Sequence, residues 1–145
     1  MEKVVLYVGL TDEENKALSS EEIESTLTKR ATALMDYAEA LNYEVVGIYR
    51  DGYYIGNSEN RINFNNMLSS LVNKSVNIVL STYDEIISNV KEKFNEFISK
   101  LNEKKIEFKS ISKLNPEDTI ASRRNQQLKD LMDDCKLEYV SPSII

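Results

Sequence analysis

The chain has 145 residues with 24 acidic and 18 basic side chains, and its formal net charge of −6 and its length indicate one self-sufficient, acidic domain. It has no histidine and a single cysteine, Cys135, which excludes histidine-based triads and an internal disulfide and is typical of a reducing compartment. The acidic balance argues against autonomous DNA binding, because phosphate neutralisation requires a basic face.

Apolar periodicity predicts alternating strands and helices. The β-branched run at 3–9 predicts a buried strand, and the polar stretch after it leads to a helix over 21–41, with Ser19 or Ser20 as its cap. The segment YDEIIS predicts a short loop before the helix at 89–104. The remaining elements follow the same alternation: strands at 44–50, 76–82 and 106–112, helices at 61–73 and 117–134, and a short strand at 137–140.

This alternation predicts one α/β domain over residues 1–145. It is typical of a three-layer αβα arrangement with a mostly parallel sheet of four to five strands. No apolar run is long enough to span a bilayer, and the N-terminus lacks signal-peptide anatomy, so we expect a cytoplasmic protein. Cys135 lies in an apolar-periodic stretch and is expected to be a buried small side chain.

In a parallel sheet, ligands bind at the carboxyl ends of the strands. No glycine-rich phosphate loop follows the first strand, which disfavours a nucleotide site. Acidic residues near these strand ends would suit Mg²⁺ if they converged, namely Asp12, Glu13, Asp51 and Asp84. We favour solvated loop charge instead and expect no metal and no cofactor.

Two short segments, YVGLT at residues 7–11 after the first strand and TLTKR at residues 26–30 in the first helix, resemble motifs of the serine recombinase catalytic domain of the resolvase/invertase type. Residues 7–11, YVGLT, are similar to that family's Tyr-x-Arg-x-Ser motif, in which the serine attacks the DNA phosphate. Tyr7 matches, Gly9 stands at the arginine, and Thr11 stands at the nucleophile. Residues 26–30, TLTKR, are similar to the family's Ser-Leu-x-x-Gln element, with Arg30 at the glutamine.

Residues 36–68 are the closest part of this resemblance. They are similar to the family's second strand, Asp-x-x-x-Ser-Gly loop and Asn-Arg-Pro helix start. Asp51 and Arg61 match, whereas Ile55 replaces the serine and Ile62 replaces the proline.

Residues 83–89 are similar to the family's Leu-Asp-Arg-Leu-x-Arg-Asn loop. Asp84 is kept, but Glu85 and Ser88 occupy the two arginine positions. The whole resemblance covers about residues 3–112 and implies the resolvase-like fold.

The resemblance also implies where a reaction would occur. Its site positions in this chain are Tyr7, Thr11, Asp51, Arg61 and Asp84. Serine recombination is phosphoryl transfer, and each lost guanidinium costs about 2–4 kcal/mol of transition-state stabilisation by analogy with an oxyanion donor. Because Gly9, Glu85 and Ser88 replace three arginines, we expect these positions to be vestigial.

Residual phosphate binding is left as an alternative by two arginines, one that matches the family and one that stands at the family's glutamine. Arg30 and Arg61 are the candidates, although Arg61 is more simply explained by capping a loop or pairing with Asp51. The family also has a dimerising helix and a DNA-binding domain. The 33 residues 113–145 leave room for a helix and a strand, so we expect no separate DNA-binding domain.

Three functional hypotheses follow. The first is an inactive resolvase-like protein that acts through protein–protein contact, with an active recombinase or by self-association, as a regulator in DNA recombination or mobile-element biology. The second is an active or residual recombinase domain with Thr11 as its nucleophile. The third is an α/β domain that binds a small ligand or a metal.

Overall fold

The computed structural model describes residues 1–72 and 75–113, in which strands and helices alternate. The strands are β1 (Lys3–Val8), β2 (Glu44–Arg50), β3 (Ile78–Ser81) and β4 (Glu107–Ser110). The helices are α1 (Asp12–Ala17), α2 (Ser20–Ala40), α3 (Ile62–Ser70), α4 (Asp84–Ile87) and α5 (Lys91–Glu103), with 3₁₀ turns at Ser58–Asn60 and Ile111–Lys113. The predicted helix at 117–134, the predicted strand at 137–140 and Cys135 lie outside the described residues.

The strands of this region form one parallel sheet in the order β2-β1-β3-β4. The predicted parallel α/β sheet is therefore confirmed. β1 is central and its residues from Val4 to Val8 are all buried, which explains its unbroken apolar sequence. Because the strands are parallel, their carboxyl ends lie at one edge of the sheet, and the loops that follow them meet there.

Helices cover both faces of the sheet, as predicted. Val4, Leu6 and Val8 of β1 point into a core that contains the apolar side of α2. Val5 and Tyr7 point the other way, into a core that α3 and α5 close with residues such as Phe64, Met67, Phe97 and Leu101. The strict alternation along β1 thus places helices in layers on either side.

Two short helices were missed by the sequence prediction. α1 lies within the polar stretch after β1, and α4 replaces the predicted loop YDEIIS. Helices of one or two turns show too few apolar repeats for a periodic signal. Ile86 and Ile87 of α4 are buried, and they explain why this segment turns back onto the core.

The long helix α2 begins as predicted. Ser19 caps it: its hydroxyl accepts from the Glu22 backbone N–H, and the Glu22 carboxylate accepts from the Ser19 N–H. In the part of the chain that the structure describes, no helix combines the length and hydropathy required to cross a membrane.

Candidate active site at the carboxyl edge of the sheet

Tyr7 and Asp51 meet at the carboxyl ends of β1 and β2. The Tyr7 hydroxyl donates to Asp51 Oδ2 at 2.7 Å. Asp51 also accepts from the backbone N–H groups of Asn63 at 2.9 Å and Phe64 at 2.7 Å, so its carboxylate caps the N-terminus of α3. Burial raises the pKa of Tyr7 above its ordinary range, and Asp51 adds to this effect despite the opposing charge of Arg61. Tyr7 therefore remains a protonated structural donor.

Arg61 is almost fully buried at the start of α3 and is bonded to the loops around it. Its Nε donates to the Ser58 carbonyl at 2.8 Å, and its Nη1 and Nη2 donate to the carbonyls of Ile86 at 2.5 Å and Ile87 at 2.8 Å. Nη1 also lies 3.5 Å from the Tyr7 hydroxyl. Of the two roles expected for Arg61, loop capping fits these bonds. Its link to Asp51 runs through Tyr7.

Thr11 is the N-cap of α1. Its Oγ1 accepts from the Glu14 backbone N–H at 3.2 Å, while Glu14 Oε1 accepts from the Thr11 N–H at 2.8 Å. This reciprocal pair is a capping box, which explains why the polar stretch after β1 becomes helical. A carboxylate is therefore fixed next to Thr11, the residue that the resemblance aligns with the family's nucleophile.

Arg30 reaches this capping box from α2. Its Nη1 donates to Glu14 Oε1 at 2.8 Å and to the Gly9 carbonyl at 2.8 Å, and its Nη2 lies 2.5 Å from Glu14 Oε2. Burial acts to raise the pKa of Glu14, but the bonds from Arg30 and Thr11 lower it overall, so the carboxylate is ionised. Arg30, one of the two candidates for phosphate binding, is thus buried and paired with a carboxylate.

The space next to Gly9 is occupied by other side chains. A Cβ at this position would lie 2.9 Å from Tyr7 Cε2 and 3.0 Å from Ile86 Cγ2, closer than Cβ atoms normally approach other atoms. Any side chain at position 9, including the arginine that the resemblance expects, requires the Tyr7 ring or the Ile86 side chain to shift.

The other three expected positions lie on or beside α4. Asp84 is half-buried in the first turn of this helix, whose carbonyls Arg61 binds, and Glu85 is exposed beside it. The Ser88 hydroxyl follows the helix and accepts from the Val90 backbone N–H at 3.0 Å. Two of the positions at which the resemblance expects an arginine thus hold an exposed carboxylate and a locally bonded hydroxyl.

The acidic residues considered for Mg²⁺ do not form a metal site. Within residues 1–72 and 75–113, no three carboxylates or thiols lie close enough to hold a metal ion. Asp51 is occupied by its three donors, and the Asp12 carboxylate accepts from the Tyr54 hydroxyl. Burial, assisted by Asp12, raises the pKa of Tyr54 above its ordinary range, which keeps this hydroxyl a donor.

Glu14 is the site residue that the sequence prediction missed. It touches both Thr11 and Arg30, and it links the end of β1 to α2. The signal was present in the sequence: residues 11–14, TDEE, have the Ser/Thr-x-x-Glu spacing of a capping box. The pairing with Arg30 had no sequence signal, because it depends on how α2 packs.

An open cleft of about 460 Å³ lies on the loop between β2 and α3. Asp51 and Arg61 are part of its lining, and Tyr53, Ile55 and Ile62 line it with exposed apolar side chains. Two members of the Tyr7–Asp51–Arg61 group therefore line this cleft.

Comparison with known proteins identifies the fold. Residues 18–138 match the family described as Resolvase, N terminal domain. The chain is similar to the N-terminal catalytic domain of TP901-1 integrase, with 20% identity, a TM-score of 0.62, and coverage of 95% of this chain and 100% of that one. It is also similar to a resolvase family site-specific recombinase from Streptococcus pneumoniae, with 16% identity, a TM-score of 0.66, and coverage of 99% and 97%.

A third similar structure is the C-terminal catalytic domain of ISC1926 TnpA, an IS607-like serine recombinase. It has 20% identity and a TM-score of 0.62, and the match covers 91% of this chain and 80% of that one. At such identities these structures establish a shared fold. Among curated proteins, none matches this sequence significantly.

Proposed function

The chain belongs to the resolvase N-terminal domain family, and from that premise we propose that it does not cut DNA and acts through contact with another protein. The observation that supports the first half is the Thr11–Glu14–Arg30 group. Thr11 caps a helix, and the Arg30 guanidinium is bonded to the Glu14 carboxylate and to the Gly9 carbonyl.

Two features of the site, the charge of Glu14 and the bonds of Arg61, oppose phosphoryl transfer. The reaction needs positive charge around the phosphate oxygens, whereas Glu14 puts an ionised carboxylate beside Thr11. Arg61 has four bonds from its guanidinium to carbonyls and Tyr7, so it cannot turn to a phosphate without breaking the loop structure. Removal of one such donor typically costs a factor of about 10²–10³ in rate.

The proposed contact with another protein is supported by the surface at the carboxyl edge of the sheet. Tyr53, Ile55 and Ile62 are exposed apolar side chains beside a cleft, which is typical of a protein-interaction surface. The net charge of −6 disfavours nucleic acid as the partner. A regulator that engages an active serine recombinase fits these features best.

The regulatory role is tested by mixing the chain with a serine recombinase encoded in the same genome. We expect a complex in sedimentation velocity and a saturable change of at least about twofold in recombination rate. An acidic α/β protein of equal size and charge serves as the control. Absence of both a complex and a rate change refutes the regulatory role, and recombination by the chain alone refutes the loss of activity.

A further inference from the structure

We propose that a cleft between α3 and α5 binds a small organic anion with an apolar body, such as an aryl-substituted carboxylate. This α3–α5 cleft has a volume of about 370 Å³, and its lining runs from Ser58 and Arg61 to Phe97 and Lys100. Its ligand is a small molecule, so the site goes beyond the proposed contact with another protein.

The apolar part of the α3–α5 cleft is suited to an aromatic group. Its apolar lining residues are Phe64, Leu68, Ile87 and Phe97. All are buried except Leu68, which is half-buried, and the Phe64 and Phe97 rings lie 5.7 Å apart with their planes tilted by 35°. The volume lies within the range of about 300–1,000 Å³ that is typical of small-molecule sites. A ligand ring can therefore pack against these side chains.

Arg61 supplies a buried donor that the fold does not use. A guanidinium carries five N–H groups. Its Nε bonds to the Ser58 carbonyl, its Nη1 to the Ile86 carbonyl and the Tyr7 hydroxyl, and its Nη2 to the Ile87 carbonyl. Among the described residues, the second N–H of Nη2 has no acceptor. Arg61 is only 4% exposed, and because a buried donor without an acceptor is costly, a ligand oxygen that accepts from it would be bound favourably.

The unused N–H belongs to the side of the guanidinium that adjoins the α3–α5 cleft. Ser58 and Ile87, which accept from Nε and Nη2, line the cleft together with Arg61, whereas the two residues that accept from Nη1 do not. The guanidinium also lies 4.2 Å from the centre of the Phe64 ring. These contacts hold it in one orientation, so its free donor is already placed before a ligand arrives.

The charges around the α3–α5 cleft favour an anion. The charged lining residues are Glu59, Arg61, Lys93, Glu96 and Lys100. Lys93 pairs with Glu59 at 3.0 Å, and Glu96 and Lys100 are exposed four residues apart on α5. These four charges cancel at a rim that water screens, whereas the charge of Arg61 is buried and is screened much less.

No carboxylate of the described residues touches Arg61 directly. Asp51 is connected to it through the Tyr7 hydroxyl, and the Asp51 oxygens already accept from three donors. A ligand carboxylate can accept from Nη2 while its apolar body packs on the two phenylalanine rings. A DNA phosphodiester would instead bring polar sugars against apolar side chains, which disfavours nucleic acid in this cleft.

The probe is 4-phenylbutyrate, titrated into the full ¹⁵N-labelled chain. The controls 4-phenylbutanol and 4-phenylbutylamine keep the ring and lack the negative charge, and butyrate keeps the charge and lacks the ring. We expect saturable shifts of the Arg61 Nε–H and of amides within residues 58–68 and 87–100. Binding of each control is expected to be at least about tenfold weaker, because it loses either a charged hydrogen bond or the buried ring.

Two matched pairs of variants assign the binding to the α3–α5 cleft. Asn65→Trp places a large side chain at an exposed lining position and is expected to weaken binding about tenfold or more by filling the cleft, whereas Asn66→Trp, exposed outside the lining, should change it less than about twofold. Lys100→Gln is expected to weaken binding about two- to threefold, since it removes an exposed charge. Lys91→Gln, exposed outside the lining, should leave the affinity unchanged.

Three results would overturn the proposal. These are no saturable shift with 4-phenylbutyrate up to about 10 mM, equal binding of 4-phenylbutanol, or equal affinities of Asn65→Trp and Asn66→Trp. The recombinase mixing assay is a separate test. A chain that regulates the recombinase but does not bind 4-phenylbutyrate refutes the anion site alone, and a chain that binds it without any effect on a recombinase refutes the proposed function alone.

Discussion

Glu14 sets the charge beside Thr11. Because Arg30 and Thr11 bond its ionised form, the pKa of Glu14 is lower in the folded chain than in the unfolded chain. A lowered carboxyl pKa stabilises the fold at pH values above the ordinary glutamate pKa, about 4.3, and this stabilisation is lost as the pH falls through the folded-state value.

Glu14→Gln is therefore expected to lower the free energy of unfolding at pH 7 by about 1.5–3 kcal/mol, since it weakens a charged hydrogen-bonded pair. Its stability should also decline less steeply than that of the wild type below pH about 4.3. Urea unfolding between pH 7 and pH 3 measures both. Glu13→Gln, at an exposed neighbouring position, is the control, and equal slopes for the two variants would contradict the assignment.

Gly9 allows Tyr7 and Ile86 to pack over the end of β1. Gly9→Ala is expected to lower the free energy of unfolding by about 1–3 kcal/mol, because the new methyl group meets the Tyr7 ring at 2.9 Å. Gly52→Ala is the matched control, since its methyl group would meet Leu27 at 3.7 Å and Ile23 at 3.8 Å, in ordinary contact. Chemical denaturation compares the two, and equal stability would show that the space at Gly9 is not filled.

The sequence reveals which residues lie at the site better than it reveals which of them are in contact. It indicated that Tyr7, Thr11, Asp51 and Arg61 would lie at the carboxyl edge, because each is at or near a strand end or in the loop that follows. It did not reveal that Arg30 would pair with Glu14. That contact depends on the rotation of α2 about its axis, which the apolar stripe defines only coarsely.

At the scale of elements, Arg61 ties the 3₁₀ turn at Ser58–Asn60, helix α4 and strand β1 together. Its guanidinium also lies 4.2 Å from the centre of the Phe64 ring. A lysine keeps the charge but cannot span three carbonyls with a planar fork.

We therefore expect Arg61→Lys to lower the free energy of unfolding by at least about 1.5 kcal/mol. Arg50→Lys is the control, because Arg50 is an exposed arginine whose pair with Glu24 is worth less than about 1 kcal/mol. Thermal and urea unfolding distinguish the two. Equal losses would mean that Arg61 contributes only surface charge.

The regular elements were predictable because their apolar patterns extend over several turns or strand repeats. β2 was predicted with its observed bounds, and α2 to within one residue at each end. α3 and the strands β3 and β4 are shorter than predicted. The apolar residues of these segments extend beyond the hydrogen bonds that define the helix and the strands. α1 and α4 needed the capping box and the buried Ile86–Ile87 pair to be recognised.

At the scale of the molecule, the evidence for the fold is different from the evidence for the function. The parallel sheet, the two helical layers and the family match place the chain among the resolvase N-terminal domains. At the carboxyl edge, Tyr7, Thr11, Asp51 and Arg61 instead use their polar groups for internal bonds. A fold alone does not establish an activity, so the proposed loss of DNA cleavage depends on these site contacts.

The most direct measurement is a covalent trap on DNA. The full chain and its Thr11→Ala variant are incubated with a suicide substrate whose cleavage cannot be reversed, and a protein–DNA adduct is sought on a denaturing gel. An active serine recombinase from the same genome is the positive control. We expect no adduct from the chain above the level of Thr11→Ala. An adduct that forms with the wild type and disappears in Thr11→Ala would contradict the proposed loss of DNA cleavage.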